Sequence, residues 1–215
     1  YSCERFVLLS TDKAVQPTSV MGASKRCCEN IMQCMARTGN KTVFASVRFG
    51  NVLGSNGSVV PLFMRQIAEG GPVTVTDKNV RRYFMTIREA VTLVLQAGVL
   101  AAGGDVFVLD MGEPVRIADM AERLIHLMGY EPGKDRKIVF TGLRPGEKLC
   151  EELYAADETL VPTVRQNIRL CRQPELDAKR FLSDLEELKR CAQANQSRQV
   201  VKMLKKMVPG FTHGG

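Results

Sequence analysis

Four residues with reactive side chains stand together in the sequence Ser10-Thr11-Asp12-Lys13. The run before them, residues 5–9, is apolar after its first position, which is typical of a strand buried on both faces of a parallel sheet. At the carboxyl end of such a strand, hydroxyl, carboxylate and amine groups are suited to binding a substrate oxygen and to general acid and base catalysis. A loop in which Thr11 and Asp12 only cap a turn, and in which Lys13 is solvated, explains the same residues equally well.

A second pair, Met21 and Lys25, lies at the start of a predicted helix over residues 18–38, for which Ser19 is suited as the N-cap. Because the two residues are four positions apart, they share one face of that helix. Lys25 is therefore placed to reach a bound ribose or to bring positive charge to a neighbouring group. Taken alone, the pair is explained more simply by packing of Met21 and solvation of Lys25.

The elements that position these residues alternate between strands and helices. Predicted strands cover residues 5–10, 42–49, 73–76, 105–109 and 137–140. Predicted helices cover residues 18–38, 59–69, 86–102, 117–128, 176–192 and 196–207, and residues 143–153 are expected to form a turn and a short helix. The alternation predicts an α/β fold with a mostly parallel sheet, whose ligands bind at the carboxyl ends of the strands.

Composition narrows the classes of partner. The chain has 215 residues, with 30 Lys and Arg against 23 Asp and Glu, and this balance fits nucleic acid, an acidic membrane surface or a phosphorylated small molecule. The basic residues are dispersed and there is no Trp, so a nucleic-acid partner is not expected. The seven Cys contain no Cys-x-x-Cys pair and lie far from either His, so no metal site is expected. No apolar run approaches the roughly 18 residues of a membrane span.

Several motifs together resemble the extended short-chain dehydrogenase/reductase family, in its branch of nucleotide-sugar 4,6-dehydratases of bacterial polysaccharide biosynthesis (CapD-like). The resemblance covers roughly residues 5 to 172. Its motifs are Ser10-Thr-Asp-Lys-Ala14, Met21-x-x-x-Lys25, Val47-Arg-Phe-Gly-Asn-Val-Leu-Gly-Ser55, Gly57-Ser-Val-Val-Pro-Leu-Phe63, Arg82-Tyr-Phe-Met-Thr86 and Leu143-Arg-Pro-Gly-Glu-Lys148. Most of the family has Tyr where Met21 stands, and Met at this position is typical of the dehydratase branch. The alternative is that Met21 marks an inactive enzyme.

The resemblance implies a lyase reaction that uses NAD, and it assigns the catalytic roles. Thr11 would hydrogen bond the C4 oxygen of the sugar, Asp12 would protonate the departing 6-hydroxyl, and Lys13 would remove the C5 proton. Lys25 would hold the nicotinamide ribose and favour deprotonation at C4. Since Met21 cannot accept the proton that Tyr accepts elsewhere in the family, Asp12, Thr11 or water must do so. The cofactor-binding residues implied are Ser10, Lys25, Gly50 and Val52.

The same resemblance implies a binding site for the nucleotide sugar. Its residues are Asn51, Ser58, Arg82, Arg144 and Glu147. The two arginines suit the diphosphate because a guanidinium pairs well with phosphate oxygens. Glu147 would accept from ribose hydroxyls, and Ser58 at a helix start would offer amide donors to a phosphate. The alternatives are a glycine-rich turn around Asn51, an ion pair at Arg82 and a helix N-terminal charge at Glu147.

The motif Gly-x-Gly-x-x-Gly, which seats the pyrophosphate of a dinucleotide, does not occur in the chain. We therefore expect the second half of a Rossmann-like parallel sheet, a smaller sugar-nucleotide-binding α/β lobe and C-terminal helices. The expected ranges are 1–57 for the partial dinucleotide-binding half, 58–172 for the lobe and remaining Rossmann elements, and 173–215 for the helical tail. The upstream Rossmann half is expected in a longer chain, because the sequence starts with Tyr1 almost directly on a strand.

The expected activity is 4,6-dehydration of a UDP-N-acetylhexosamine, with UDP-N-acetylglucosamine as the substrate that the resemblance favours. The full-length protein is expected to be a homo-oligomer whose enzymatic domain is cytoplasmic, and family members often carry membrane helices further upstream. One alternative is a C4 epimerase, which shares the first oxidation but needs no acid at C6 and no base at C5. The other is a sugar-nucleotide-binding half-domain that catalyses nothing in isolation.

Overall fold

A computed structural model describes residues 3–39, 41–55 and 57–213 and shows alternating strands and helices. The strands are β1 (Arg5–Leu9), β2 (Val43–Arg48), β3 (Asn51–Val52), β4 (Val73–Val75), β5 (Arg81–Arg82), β6 (Phe84–Met85), β7 (Asp105–Leu109), β8 (Val115–Arg116), β9 (Ile138–Phe140), β10 (Thr159–Pro162) and β11 (Ile168–Arg172). The helices are α1 (Val20–Ala36), α2 (Val59–Ala68), α3 (Ile87–Leu100), α4 (Ile117–Leu127), α5 (Ala178–Gln193) and α6 (Ser197–Met207). The α/β class expected from the sequence is confirmed, and none of the helices in these ranges is long and apolar enough to cross a membrane.

The chain divides into two compact units that do not follow the three consecutive ranges expected from the sequence. The sheet unit consists of the described residues of Tyr1–Phe49, Val91–Asp110 and Glu152–Gly215. The lobe unit consists of those of Gly50–Ala90 and Met111–Glu151. The chain leaves the sheet after β2, returns for β7 and leaves again, so that sequence neighbours fall in different units. The C-terminal helices belong to the sheet unit.

The sheet unit contains five strands in the order β1-β2-β7-β11-β10. Strands β1, β2 and β7 run parallel, with Phe6 opposite Phe44 and Val47 opposite Phe107. Strands β10 and β11 form an antiparallel hairpin beside β7, which the sequence analysis did not predict. Its outer strand ends in Pro162 and is mostly exposed, so it lacks the apolar alternation that marks a half-buried strand.

The prediction that β1 is buried on both faces is wrong. Phe6 is 46% exposed and Leu9 is 53% exposed, because β1 is the edge of the described sheet. Helix α3 contacts β1 near Gly98, where an added Cβ would lie 3.1 Å from Val7 Cγ2. Helix α3 also carries Val91, Leu95 and Val99, which are 52%, 67% and 73% exposed. The apolar run therefore predicted the strand correctly but not how much of its surface other elements bury.

Helix α1 carries Lys25 and packs against the C-terminal helices of the sheet unit. Its predicted N-cap is confirmed, since the Ser19 side chain accepts a hydrogen bond from Gly22 N at 3.1 Å. The apolar face of α1 packs with α5 and α6 around Phe181 and Leu204. Full burial of an apolar side chain of this size contributes about 1.5–3 kcal/mol. These contacts hold α1, and with it Lys25, against α5 and α6.

The lobe unit has its own core, formed by α2, α4, β4 and β9. Its centre contains Phe63, Ile67 and Ile125, which are at most 1% exposed. The predicted turn at residues 144–146 is present, with Glu147 N donating to Arg144 O at 2.9 Å. The short helix predicted beyond it is wrong. Instead, Arg81 N donates to Leu149 O at 2.7 Å, so the backbone there pairs with β5 in place of a helical turn.

Candidate active site

A tight turn follows β1 and carries the first predicted site residues. Residues Asp12–Ala14 form one turn of 3₁₀-helix, and the Thr11 side chain caps it by accepting from Lys13 N. The turn extends the pairing of β1 with β2, since Ser10 N donates to Val47 O at 2.8 Å and Asp12 N donates to Phe49 O at 3.1 Å. The backbone of the turn is therefore tied to the neighbouring strand.

The side chains of Thr11, Asp12 and Lys13 converge on one carboxylate oxygen. Asp12 Oδ1 accepts from Thr11 Oγ1 at 2.8 Å and from Lys13 Nζ at 2.9 Å. The Asp12 side chain is 0% exposed, whereas that of Lys13 is 30% exposed. The other oxygen, Oδ2, is buried and has no hydrogen-bond partner among the described residues. A buried polar atom left unpaired costs free energy, so Oδ2 is suited to bear a proton or to meet a ligand.

Helix α1 brings Lys25 to the same end of β1. Lys25 Nζ donates to Leu9 O at 3.2 Å, while Met21, one turn earlier, is 49% exposed. The helix approaches the turn closely at Gly22, where an added Cβ would lie 2.2 Å from Lys13 O. The structure therefore brings together Ser10, Thr11, Asp12, Lys13 and Lys25 within the sheet unit.

Behind the turn lies a buried ionic network that the sequence analysis missed. Arg48 donates to Glu29 through Nε and Nη2, both at 2.7 Å, and to Glu158 Oε2 through Nη1 at 2.7 Å. All three side chains are 0% exposed. A charged residue at the end of the otherwise uncharged strand β2, within residues 43–48, was the available signal.

The network keeps Arg48 and Glu158 charged. Burial by itself would lower the pKa of Arg48, but the hydrogen bonds and charges of Glu29 and Glu158 raise it overall. Burial would raise the pKa of Glu158, yet hydrogen bonding to Arg48 and the charges of Arg48 and Arg26 hold it well below its usual range. Burial raises the pKa of the nearby Cys171 thiol to about 12, so this thiol is a poor nucleophile.

The lobe unit contains a cavity of about 200 Å³ lined by four of the five predicted substrate-binding residues: Asn51, Arg82, Arg144 and Glu147. Glu147 organises its polar wall. Glu147 Oε1 accepts from Arg82 Nη2 at 3.0 Å and from Thr76 Oγ1 at 2.9 Å, and Oε2 accepts from Arg144 N at 3.2 Å. The apolar wall includes Phe63 and Val75.

The remaining predicted residues lie near this cavity in sequence but do not line it. Ser58 stands at the start of α2, where its side chain makes no capping hydrogen bond and its Oγ is buried without a partner among the described residues. Gly50 is the first residue of the lobe unit, and Val52 belongs to β3, which pairs with β6. The proposed roles of Ser58, Gly50 and Val52 stay predictions.

Comparison with protein families identifies the relatives of this chain. Residues 1–173 match a family described as polysaccharide biosynthesis protein. The chain belongs to this family. Among its polysaccharide biosynthesis relatives, the capsular polysaccharide biosynthesis protein CapD of Staphylococcus aureus is 60% identical over 154 residues, which are 72% of this chain and 26% of CapD. The probable polysaccharide biosynthesis protein EpsC of Bacillus subtilis is 52% identical over 188 residues, 86% of this chain and 31% of EpsC.

A more distant relative carries an enzymatic name. A UDP-glucose 4-epimerase of Rickettsia canadensis is 40% identical over 156 residues, 72% of this chain and 44% of the epimerase. The chain thus spans about a quarter to a half of the length of these three relatives.

Solved structures show the same fold. The X-ray structure of Pen from Bacillus thuringiensis is 34% identical, has a TM-score of 0.69, and matches 80% of this chain and 54% of Pen. The dTDP-glucose 4,6-dehydratase of Bacillus anthracis, solved in complex with NAD, has a TM-score of 0.58 over 70% of this chain and 52% of that protein. At 19% identity, the second likeness concerns the fold alone.

Proposed function

We propose that this polysaccharide biosynthesis protein is part of an NAD-dependent 4,6-dehydratase of UDP-N-acetylhexosamines, with UDP-N-acetylglucosamine as its substrate. The observation that carries the proposal is the Asp12–Lys13 pair at the end of β1, where a buried carboxyl with one unfilled oxygen contacts an amine at 2.9 Å. An elimination needs an acid and a base side by side, and this pair supplies both. Membership of the family, with CapD and EpsC as relatives, supports the sugar-nucleotide substrate.

The residues of the turn divide the elimination between them. With substrate bound, the Thr11 hydroxyl turns its hydrogen from Asp12 Oδ1 to the C4 oxygen of the sugar. Once C4 is a ketone, the C5 proton is acidic; Lys13 removes it, and the C6–O bond breaks as Asp12 protonates the departing hydroxyl to form water. Oxidation at C4 also releases the hydroxyl proton, which passes through the Thr11 hydroxyl to water. Before the elimination, transfer of one proton from Lys13 to Asp12 converts the ion pair into the neutral amine and carboxylic acid that this step requires.

Lys25 fits the ribose end of the cofactor. Its ammonium uses one donor on Leu9 O at 3.2 Å and has two further N–H donors for ribose hydroxyls. When bound there, NAD would supply the acceptor and then the donor for the hydride that the sugar exchanges. The chain has no Gly-x-Gly-x-x-Gly loop to bind the pyrophosphate. In this proposal the described residues therefore bind the nicotinamide ribose, and an upstream segment binds the pyrophosphate.

The lobe unit binds the nucleotide in this proposal. Arg82 and Arg144 face the diphosphate, Glu147 accepts from the ribose, and Asn51 contacts the sugar. The cavity of about 200 Å³ is smaller than the roughly 300–1,000 Å³ of complete ligand sites, so it holds only part of a nucleotide sugar. Arg82 is held by Glu147 in the structure, which orients its guanidinium before the ligand arrives.

A C4 epimerase is the second candidate, because the Rickettsia relative carries that name. The two reactions differ in the mass of the product, since an elimination loses one water and an epimerisation loses nothing. The deciding experiment incubates the chain, joined to its proposed upstream half, with UDP-N-acetylglucosamine and NAD, and follows the product by mass spectrometry. Loss of water supports the dehydratase, and an isomer of equal mass contradicts it in favour of the epimerase.

The isolated chain provides a complementary test. We expect UDP and UDP-N-acetylglucosamine to raise its melting temperature, because a ligand that binds only the folded state stabilises it by mass action. NAD alone is expected to have little effect without the upstream half. Binding without turnover in the completed protein would identify a sugar-nucleotide-binding module. An Asp12→Asn variant of the completed protein should retain UDP binding and lose water elimination.

A further inference from the structure

The turn that carries Thr11, Asp12 and Lys13 is held from two sides. On the strand side, Ser10 N donates to Val47 O in β2 and Asp12 N donates to Phe49 O just after it. On the helix side, Ser10 Oγ donates to Glu29 Oε1 at 2.6 Å. Ser10 is 5% exposed and immediately precedes the reactive residues. Its side-chain hydrogen bond therefore restrains the chain directly before Thr11.

The carboxylate that receives this hydrogen bond is itself immobilised. Both Glu29 oxygens accept from Arg48, which uses Nε and Nη2 in a two-point contact. Arg48 is held in turn by Glu158, whose Oε1 also accepts from Arg26 Nη1 at 2.6 Å and from Gln173 Nε2 at 2.7 Å. Two cations thus balance two carboxylates, and every one of these contacts lies within the sheet unit.

Stability alone does not explain such an arrangement. Buried ion pairs contribute little to stability relative to well-packed apolar side chains of similar size, because desolvation offsets the attraction between the charges. What the network supplies is a fixed orientation of the Glu29 carboxylate, because a guanidinium bound at two points fixes where the carboxylate oxygens lie. One of those oxygens then fixes Ser10.

We propose that Glu29 is a positioning residue, which holds the Thr11–Lys13 turn in its reactive geometry through Ser10, with Arg48 and Glu158 fixing the Glu29 carboxylate. The inference rests on the proposed function for its catalytic meaning, although the positioning of the turn is measurable without turnover. Glu29 is 0% exposed and acts only through Ser10, so it does not touch the substrate.

The test removes the link and leaves the network intact. Ser10→Ala deletes the hydroxyl that reaches Glu29, and Ser46→Ala is the matched control. Ser46 lies in β2 of the same sheet, is 0% exposed and has a hydroxyl without a partner among the described residues. In the completed enzyme, Ser10→Ala is expected to lower kcat by about tenfold to a hundredfold, the usual effect of slightly misplaced reacting groups. The KM values for UDP-N-acetylglucosamine and for NAD should change by less than about threefold.

A Glu29→Gln variant separates positioning from direct cofactor binding by Ser10. Glutamine leaves an acceptor for the Ser10 hydroxyl but loses the charged two-point contact with Arg48, so kcat should again fall while the KM for NAD is unchanged. A rise in the KM for NAD in both variants would overturn the proposal, since it would show that the network serves cofactor binding. Wild-type kcat in both variants would overturn it as well.

Hydrogen exchange of this chain gives a readout that does not need turnover. Ser10→Ala should accelerate exchange of the Asp12 and Lys13 amides about tenfold, because one hydrogen bond to a charged group no longer restrains the turn. Ser46→Ala should leave these amides unchanged. Equal exchange in Ser10→Ala and the wild type would overturn the positioning role. An inactive wild-type enzyme would refute the proposed function, and hydrogen exchange would still decide the positioning role.

Discussion

Replacing Arg48 with methionine tests whether the buried network is built as described. Arg48 is 0% exposed and makes four hydrogen bonds to Glu29 and Glu158. Its removal leaves two buried carboxylates with Arg26 as the remaining cation. Breaking a buried pair in this way costs about 3–5 kcal/mol, a large share of the roughly 5–15 kcal/mol that stabilises a typical protein. At about 2–4 °C per kcal/mol for a chain of this size, the melting temperature should fall by about 6–20 °C.

The assay is thermal unfolding of the wild type and variants at neutral pH, followed by circular dichroism. Arg190→Met is the matched control, because Arg190 pairs with Glu187 on α5 with side chains 72% and 46% exposed. Such surface pairs contribute about 0–1 kcal/mol, so this control should melt close to the wild type. Adding Glu29→Leu and Glu158→Leu to Arg48→Met should recover most of the loss, since apolar groups of similar volume can replace a buried ionic cluster. If Arg48→Met has the same melting temperature as the Arg190→Met control, the described network does not stabilise the protein.

Four further predictions follow from other parts of the structure. Gly22→Ala places a Cβ 2.2 Å from Lys13 O and should destabilise the protein by about 1–3 kcal/mol in thermal melts, whereas Gly71→Ala, with nothing within 4 Å, should not. Glu158 has a lowered pKa in the folded state, so the stability it provides is complete above its unfolded pKa of about 4.3 and is lost as the pH falls below it. Glu158→Gln should therefore flatten the acid side of a curve of unfolding free energy against pH; an unchanged acid side would contradict this. Arg82→Met should weaken UDP binding about tenfold to a hundredfold in calorimetry, because a charged hydrogen bond to phosphate is lost, and undiminished affinity would place the diphosphate elsewhere. The exposed edge strand β1 and the exposed apolar face of α3 should cause the isolated chain to self-associate, and a concentration-independent monomer in sedimentation velocity would contradict this.

The sequence by itself determined the local elements and the family. Residues 5–9 and 105–109 were recognisable as strands, and Ser19 as the cap of α1, because apolar periodicity and capping depend on neighbours within a few positions. The order Ser-Thr-Asp-Lys after β1 was equally visible, since all four residues lie in one short turn.

The tertiary structure decided which distant residues meet. Glu29, Arg48 and Glu158 are separated by up to 129 positions, and no periodicity predicts that they share one buried network. The cavity around Glu147 likewise collects residues from β3, β5 and the segment after β9. The exposure of β1 and the β10–β11 hairpin depend on which strands lie beside them. Burial and ionic partners are properties of the folded neighbourhood, because they depend on atoms brought close by the whole chain rather than on adjacent residues.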